Sequence, residues 1–191
     1  QTTSAYISPS LKNIRERFWM GSNYLSYRDI KKSIDLVADL KIPLTIFEVL
    51  TLVYIINASQ KENDYNLVEA GALFAKDSTN VFDFPFIQVV VNINKQHLNF
   101  VKKKTINEII FQKVGFLSNF TNIYIGKQSR KNEKRIKMIL KNNLSKKIYS
   151  NNWKLIENKR GFFYKDKKNF IHLKLKNIKS KGLFNNVAMA I

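Results

Sequence analysis

Short apolar runs that alternate with amphipathic segments constrain this chain most, because few architectures accept that order. Ala5-Tyr6-Ile7-Ser8 reads as a strand running into a loop at Pro9. Ser26 followed by Asp29 is an acidic variant of a capping box, and Ile30, Ile34, Leu36, Val37 and Leu40 behind it mark an amphipathic helix. Pro43 and Thr45 open a second helix through Asn57, apolar on most sides and so expected to be buried. The runs Tyr65 to Val68 and Ile87 to Ile93 read as buried strands, Thr105 to Leu117 as a helix, and Thr121 to Gly126 as another strand. Ser129 to Leu144 reads as a solvent-facing helix with Ile136, Ile139, Leu140 and Leu144 as its apolar stripe. This alternation predicts an α/β fold with a mostly parallel, Rossmann-like sheet flanked by helices.

Beyond residue 145 the pattern changes. Lys147-Ile148-Tyr149, Trp153 to Ile156, Gly161 to Tyr164 and Phe170 to Leu175 look like short strands between polar turns. Residues 146–177 are therefore expected to form a mostly antiparallel extension, with a helix starting near Asn185. At 191 residues the chain suits one domain, with an α/β core over 1–145 and the extension over 146–191.

Lysine and arginine number 33 against 14 acids, giving a formal charge of +19. Such a charge attracts polyanions, either nucleic acid or anionic small substrates. The basic residues are scattered among Asn, Ile and Phe, a mixture typical of an AT-rich genome, and this favours small anions. With no cysteine, disulfides and thiolate zinc sites are excluded, in keeping with a cytoplasmic protein. No segment approaches the roughly 18 apolar residues of a membrane span.

Ligands of open α/β sheets bind at the carboxyl ends of strands, which makes Glu69 and His97 candidates for a site. Ser8 and Glu69, each at a predicted strand end, offer the hard oxygens that magnesium prefers. The alternative role for Glu69, given less weight, is capping a nearby helix N-terminus or pairing with a lysine. Asp77, Thr79 and Asn80 are turn formers whose side chains can bond the local backbone. Arg17 can pair a carboxylate bidentately. His172 has a strand context and no partner motif.

Glu69-Ala70-Gly71-Ala72-Leu73-Phe74-Ala75-Lys76-Asp77-Ser78-Thr79-Asn80 resembles an E-x-G-L-G-G-R-x-D-A-T-N segment, without its middle glycines and arginine. Tyr6-Ile7-Ser8-Pro9-Ser10-Leu11 resembles T-S-P-H-L, Glu16-Arg17-Phe18 resembles E-R-I, and Gln96-His97 stands where D-H would. Thr105 to Ile109 with Gln112-Lys113-Val114-Gly115-Phe116 resembles T-x-x-E-I-A-x-E-K-A-G-I. Those motifs belong, in this order, to the folylpolyglutamate and dihydrofolate synthases of the Mur-ligase class. The resemblance covers roughly residues 5 to 127 well and the rest loosely.

The resemblance implies a P-loop NTPase-like domain of an ATP-dependent ligase that adds L-glutamate to folate or dihydropteroate through an acyl phosphate. It implies ATP, Mg2+ and a monovalent cation such as K+ as cofactors, and a cytoplasmic monomer with no membrane partner. By the matched positions, Ser8 and Glu69 bind magnesium beside the nucleotide phosphates, and His97 binds a second metal. Lys113 matches a carbamylated lysine that positions a metal near the γ-phosphate, so Lys113 and His97 are the catalytic candidates. Its amine must lose its proton to react, and apolar Ile109, Ile110, Val114 and Phe116 favour the burial that this requires. Asp77, Asn80 and Asn186 fall on the nucleotide side, and Glu16 and Arg17 border the folate site.

Departures accompany these matches. Ser10, Gln96 and Gln112 replace a histidine, an aspartate and a glutamate, and Gly182 and Leu183 occupy an H-Q pair. The family's G-x-x-x-x-G-K-S/T loop would precede Ser8, where only seven residues stand, so the chain is expected to be a central fragment, inactive alone. Gly126-Lys127 is no substitute, because Gln128 follows. A degenerate, non-catalytic ligase fold and a basic nucleic-acid-binding module are the alternatives.

Overall fold

The computed structural model describes residues 1–158, 161–173 and 180–191. By compactness the chain divides into two units, Gln1–Val81 and Phe82–Ile191.

In the first unit, β1 (Thr3–Tyr6) is central, with β2 (Phe18–Met20) antiparallel on one side and β3 (Tyr65–Val68) parallel on the other. The strand β2 escapes sequence reading because three residues after a 3-10 turn carry no alternation. Helix α1 (Tyr27–Ala38) starts where expected, the Ser26 hydroxyl accepting from Asp29 N. Helix α2 (Ile46–Ala58) is closed by a full capping box between Thr45 and Glu48. Tyr6, Phe18, Leu25, Ile30, Leu50, Val53, Tyr54 and Ala58 form the core. Its buried Ser4 and Tyr54 hydroxyls are bonded internally: Ser4 Oγ donates to Asn66 Oδ1 at 2.6 Å, so Tyr54, 2.7 Å away, must donate to Ser4. Contrary to the expectation of a buried strand, β3 is an edge strand with Leu67 58% exposed. Its apolar residues fill one short edge and do not form the middle of a sheet.

The second unit holds a parallel sheet in the order β4 (Ile87–Val90), β5 (Asn122–Ile125), β6 (Lys146–Tyr149), with α3 (Ile106–Val114) and α4 (Arg130–Ile139) between its strands in sequence. Ile109, Ile110, Val114, Ile123, Ile125 and Ile136 are fully buried. The strand β6 pairs parallel with β5, so the antiparallel part begins one strand later than its composition suggests. The crossover through α4 decides this: a helix between two strands delivers the second strand parallel. Gln88 is buried and makes a strand-like pair with Ser118, donating to its carbonyl at 3.0 Å and accepting from its N–H at 2.9 Å.

An antiparallel sheet follows, β7 (Lys154–Asn158), β8 (Gly161–Lys165) and β9 (Phe170–Leu173), as the short-strand pattern predicts. Lys174 and Leu175 lie outside the described residues. The last helix, α5 (Lys181–Ala190), starts four residues before Asn185 because Ser180 caps it, accepting from Leu183 N at 3.2 Å. No helix among the described residues is long and apolar enough to cross a membrane.

The turn between β8 and β9 is locked by Asp166. Its carboxylate accepts from Lys168 N at 2.7 Å, Asn169 N at 2.6 Å, Asn169 Nδ2 at 3.0 Å and the Tyr164 hydroxyl at 2.8 Å. The Asn169 side chain first, then these backbone donors, hold the Asp166 carboxyl far below the usual range, and burial with Asp166 alongside pushes the Tyr164 hydroxyl up to about 12. A carboxylate depressed by folding adds stability above its unfolded pKa and loses it only as pH falls through the folded value. Acidification through about pH 4, the ordinary aspartate range, should therefore leave Asp166 ionised. Its side-chain carboxyl 13C shift should stay flat there while exposed aspartates titrate.

Candidate functional site

The carboxyl ends of β1 and β3 lie side by side, because Tyr6 pairs with Val68 in parallel register and Glu69 N donates to Tyr6 O at 2.9 Å. This pairing brings together two residues 61 positions apart, and the Ser8 amide donates to Glu69 Oε2 at 2.6 Å. One carboxylate oxygen is thus fixed by backbone, while Glu69 Oε1 and Ser8 Oγ remain as hard oxygen donors on an exposed sheet edge. Among the described residues no group of three or more histidine, aspartate or glutamate side chains could hold a metal. The donors present fit an ion that takes few protein oxygens and completes its shell with phosphate and water, which is the habit of magnesium.

Behind this edge the loop from Gly71 to Asn80 is folded around Asp77. Its Oδ2 accepts from Gly71 N at 2.9 Å, and its Oδ1 accepts from Thr79 N at 3.0 Å and the Thr79 hydroxyl at 2.5 Å. Asn80 N donates to the Asp77 carbonyl at 2.9 Å, closing the turn. A Cβ at residue 71 would sit 2.7 Å from Asp77 Oδ2 and 3.1 Å from the Phe47 ring, so only glycine lets the carboxylate reach the amide. The loop is tied to α2 where Ser78 Oγ meets Thr51 Oγ1 at 2.7 Å; Thr51 donates to Phe47 O, so Ser78 is the donor.

Glu16 and Arg17 differ in what they do. The Glu16 carboxylate accepts from Leu11 N at 2.7 Å and Lys12 N at 3.2 Å, and these backbone donors hold it below the usual range. It fastens the loop that follows Pro9. The Arg17 guanidinium lies beside the Tyr6 hydroxyl, and its Nε and Nη1 are buried without a hydrogen-bond partner among the described residues. Burial raises the Tyr6 hydroxyl pKa, which Thr51 and Arg17 partly offset.

The remaining candidates stand in the second unit. His97 is exposed, in the left-handed region at φ 57°, at the start of a short 3-10 helix (Leu98–Phe100), its ring edge-on to Phe100. The segment leading to it is stitched to the end of β5: Gln128 accepts from Ile93 N and donates to Val91 O, and Asn132 donates to Ile93 O. Those two amides are positioning residues that sequence reading passes over, since an Asn or Gln in a polar stretch carries no signal of its partner. Lys113 is half-buried in the last turn of α3, and Asn186 is exposed on α5. Gly126 N donates to Val90 O, and Met189 Sδ would lie 3.1 Å from a Cβ there, so this glycine serves helix packing. A cavity of about 590 Å³ lined by Phe84, Phe86, Phe120, Asn122 and Lys146 opens at the amino ends of β4 to β6, the end opposite to where such sheets bind ligands.

An α/β fold with a carboxylate fixed at the ends of two adjacent parallel strands falls in the class of open α/β sheets, whose carboxyl edge is the general position of ligands. Within that class the fold is the one seen in folylpolyglutamate synthase structures. The apo form of L. casei FPGS superposes over 99% of this chain at a TM-score of 0.84 and 19% identity. E. coli FolC in complex with DHPP and ADP gives 0.83 over 100% of the chain at 19% identity. The bifunctional folylpolyglutamate synthase/dihydrofolate synthase of Yersinia pestis, with AMPPNP and Mn ion, gives 0.81 over 99% at 19% identity. The chain spans about half the length of these structures, 49%, 47% and 45% respectively. No sequence profile of a protein family matches it, and no curated protein sequence does.

Proposed function

We propose that the chain, over residues 1–191, is the central part of an ATP-dependent amide ligase that joins L-glutamate to the carboxylate of a folate or dihydropteroate. The observation that carries this reading is the Ser8 to Glu69 clasp at the ends of β1 and β3. It stands in a fold shared, over the length of this chain and about half of theirs, with synthases that were captured with ADP, DHPP, AMPPNP and Mn. ATP and a divalent ion, Mg2+ in this reading, are the cofactors, with K+ as the monovalent ion, and the setting is a cytoplasmic monomer.

In this reading Glu69 Oε1 and Ser8 Oγ hold the divalent ion, which when bound neutralises phosphate charge as the carboxylate is phosphorylated. Asp77 and Asn80 shape the loop that flanks the nucleotide, acting as positioning residues through the Gly71 and Thr79 amides. Arg17, half-buried, is assigned to a substrate carboxylate that its guanidinium would pair, and Glu16 sets the loop beside it. Lys113 and His97 would hold the second metal, Lys113 as the carbamate formed when its neutral amine nitrogen bonds the carbon of carbon dioxide and an N–H proton is released to water. Asn186 is assigned to the nucleotide.

Titrating the chain with Mn2+ in the presence of a non-hydrolysable ATP analogue, and following water-proton relaxation, tests the metal assignment. Glu69 is exposed, so Glu69→Ala should melt as the wild type does while losing Mn2+ affinity by at least about tenfold, the loss typical of metal-site partners. Equal Mn2+ binding in the two proteins would leave a degenerate ligase fold as the better account, as the lost glycines and Gln96 and Gln112 suggest.

A further inference from the structure

The antiparallel sheet β7–β9 has two faces of different character. One carries Tyr164, buried, and Phe162, stacked on Phe184 of α5 at 4.1 Å. Strand alternation and register put Lys154, Ile156, Phe163, Lys165, Phe170 and His172 on the other. There the rings form a ladder: Phe163 stacks on Phe170 at 5.3 Å and 12°, and on His172 at 4.7 Å and 18°. The end ring, Phe170, is 64% exposed, and His172, Lys154 and Lys165 are exposed too.

We propose that this face binds single-stranded nucleic acid, by a base adding to the Phe170 end of the ladder while Lys154 and Lys165 meet the phosphates. Three features carry it. Near-parallel aromatic rings at the end of a stack offer a π-face that any unpaired base can extend, a contact duplexes cannot make because their bases are already stacked. Lys154 and Lys165 are cross-strand partners, like charges placed opposite each other with no acid on that face among the described residues, an arrangement that costs energy unless an anion is between them. The chain's +19 charge supplies the long-range attraction. None of the residues that form this surface is used in the ligase reading, so either can fail without the other.

The test is fluorescence anisotropy of a labelled oligouridylate of about 12 nucleotides, within the site sizes of sheet-based single-strand binders, against the 191-residue chain. Phe170→Ala should keep the wild-type melting curve and weaken binding about tenfold or more, the loss of one stacked base. Lys165→Gln should make the slope of log affinity against log salt less negative by about 0.7, one phosphate contact on a single strand. Lys31→Gln on α1 should change neither. Absence of binding, unchanged affinity in Phe170→Ala, or equal affinity for an RNA duplex of the same length would each overturn the proposal.

Discussion

Replacing Asp77 by alanine is expected to cost about 3 kcal/mol of stability in the unit spanning Gln1–Val81, since hydrogen bonds to a charged group contribute roughly 1.5–3 kcal/mol each and those of one carboxylate are not additive. The two oxygens of Asp77 hold the amides of Gly71 and Thr79 and the Thr79 hydroxyl, and Thr79 is 4% exposed. Deleting the carboxylate leaves those donors partly buried and unpaired, and a donor left without an acceptor costs more than the bond was worth. Asp77→Asn should recover little, because an amide nitrogen in place of one oxygen faces an N–H donor. Gly71→Ala should reproduce most of the loss by a different route, as its methyl would meet Asp77 Oδ2 at 2.7 Å. Urea melts of the three variants decide the matter. If Asp77→Ala melts like the wild type, the carboxylate is not what folds the loop and a direct ligand role gains ground.

That loop shows where sequence reading reaches and where it stops. Asp77, Thr79 and Asn80 announce a turn from their types alone, and the side chain to backbone bonds follow. That Gly71 belongs to the same clasp is invisible in the sequence, because the requirement is the absence of a Cβ six residues away. Helix starts were legible wherever a cap is local: Ser26 and Ser129 both accept from the amide three residues on. Strand pairing was legible only through connections. The helix α4 makes β6 parallel, although the composition of Lys146–Tyr149 matches that of the antiparallel strands after it. The Ser8 to Glu69 contact depends on the register of two strands separated by both helices of the first unit, information that no window of sequence contains. Residue types nominated both ends of that contact; packing alone joined them.

Arg17→Met is expected to move stability and binding in opposite directions. A guanidinium whose Nε and Nη1 are buried without a partner carries desolvation that its interaction with the Tyr6 hydroxyl only partly offsets, and a thioether of similar length removes it while keeping the packing. Because the residue is only half-buried, the gain should be modest, about 1 kcal/mol, seen as a rise in melting temperature of roughly 2–4 °C for a chain of this size. Tyr6, fully buried beside it, keeps Thr51 as a neighbour at 3.4 Å and so is not left alone. On the proposed ligase function, affinity for a pteroyl carboxylate such as folic acid, measured by calorimetry, should fall at least about 30-fold, because truncating one partner of a desolvated charge pair costs about 2–5 kcal/mol. A structural arginine behaves otherwise: its removal lowers the melting temperature and leaves the ligand unaffected. The signs of the two changes therefore assign Arg17, since a group that strains the free protein and is relieved by an anion must do both.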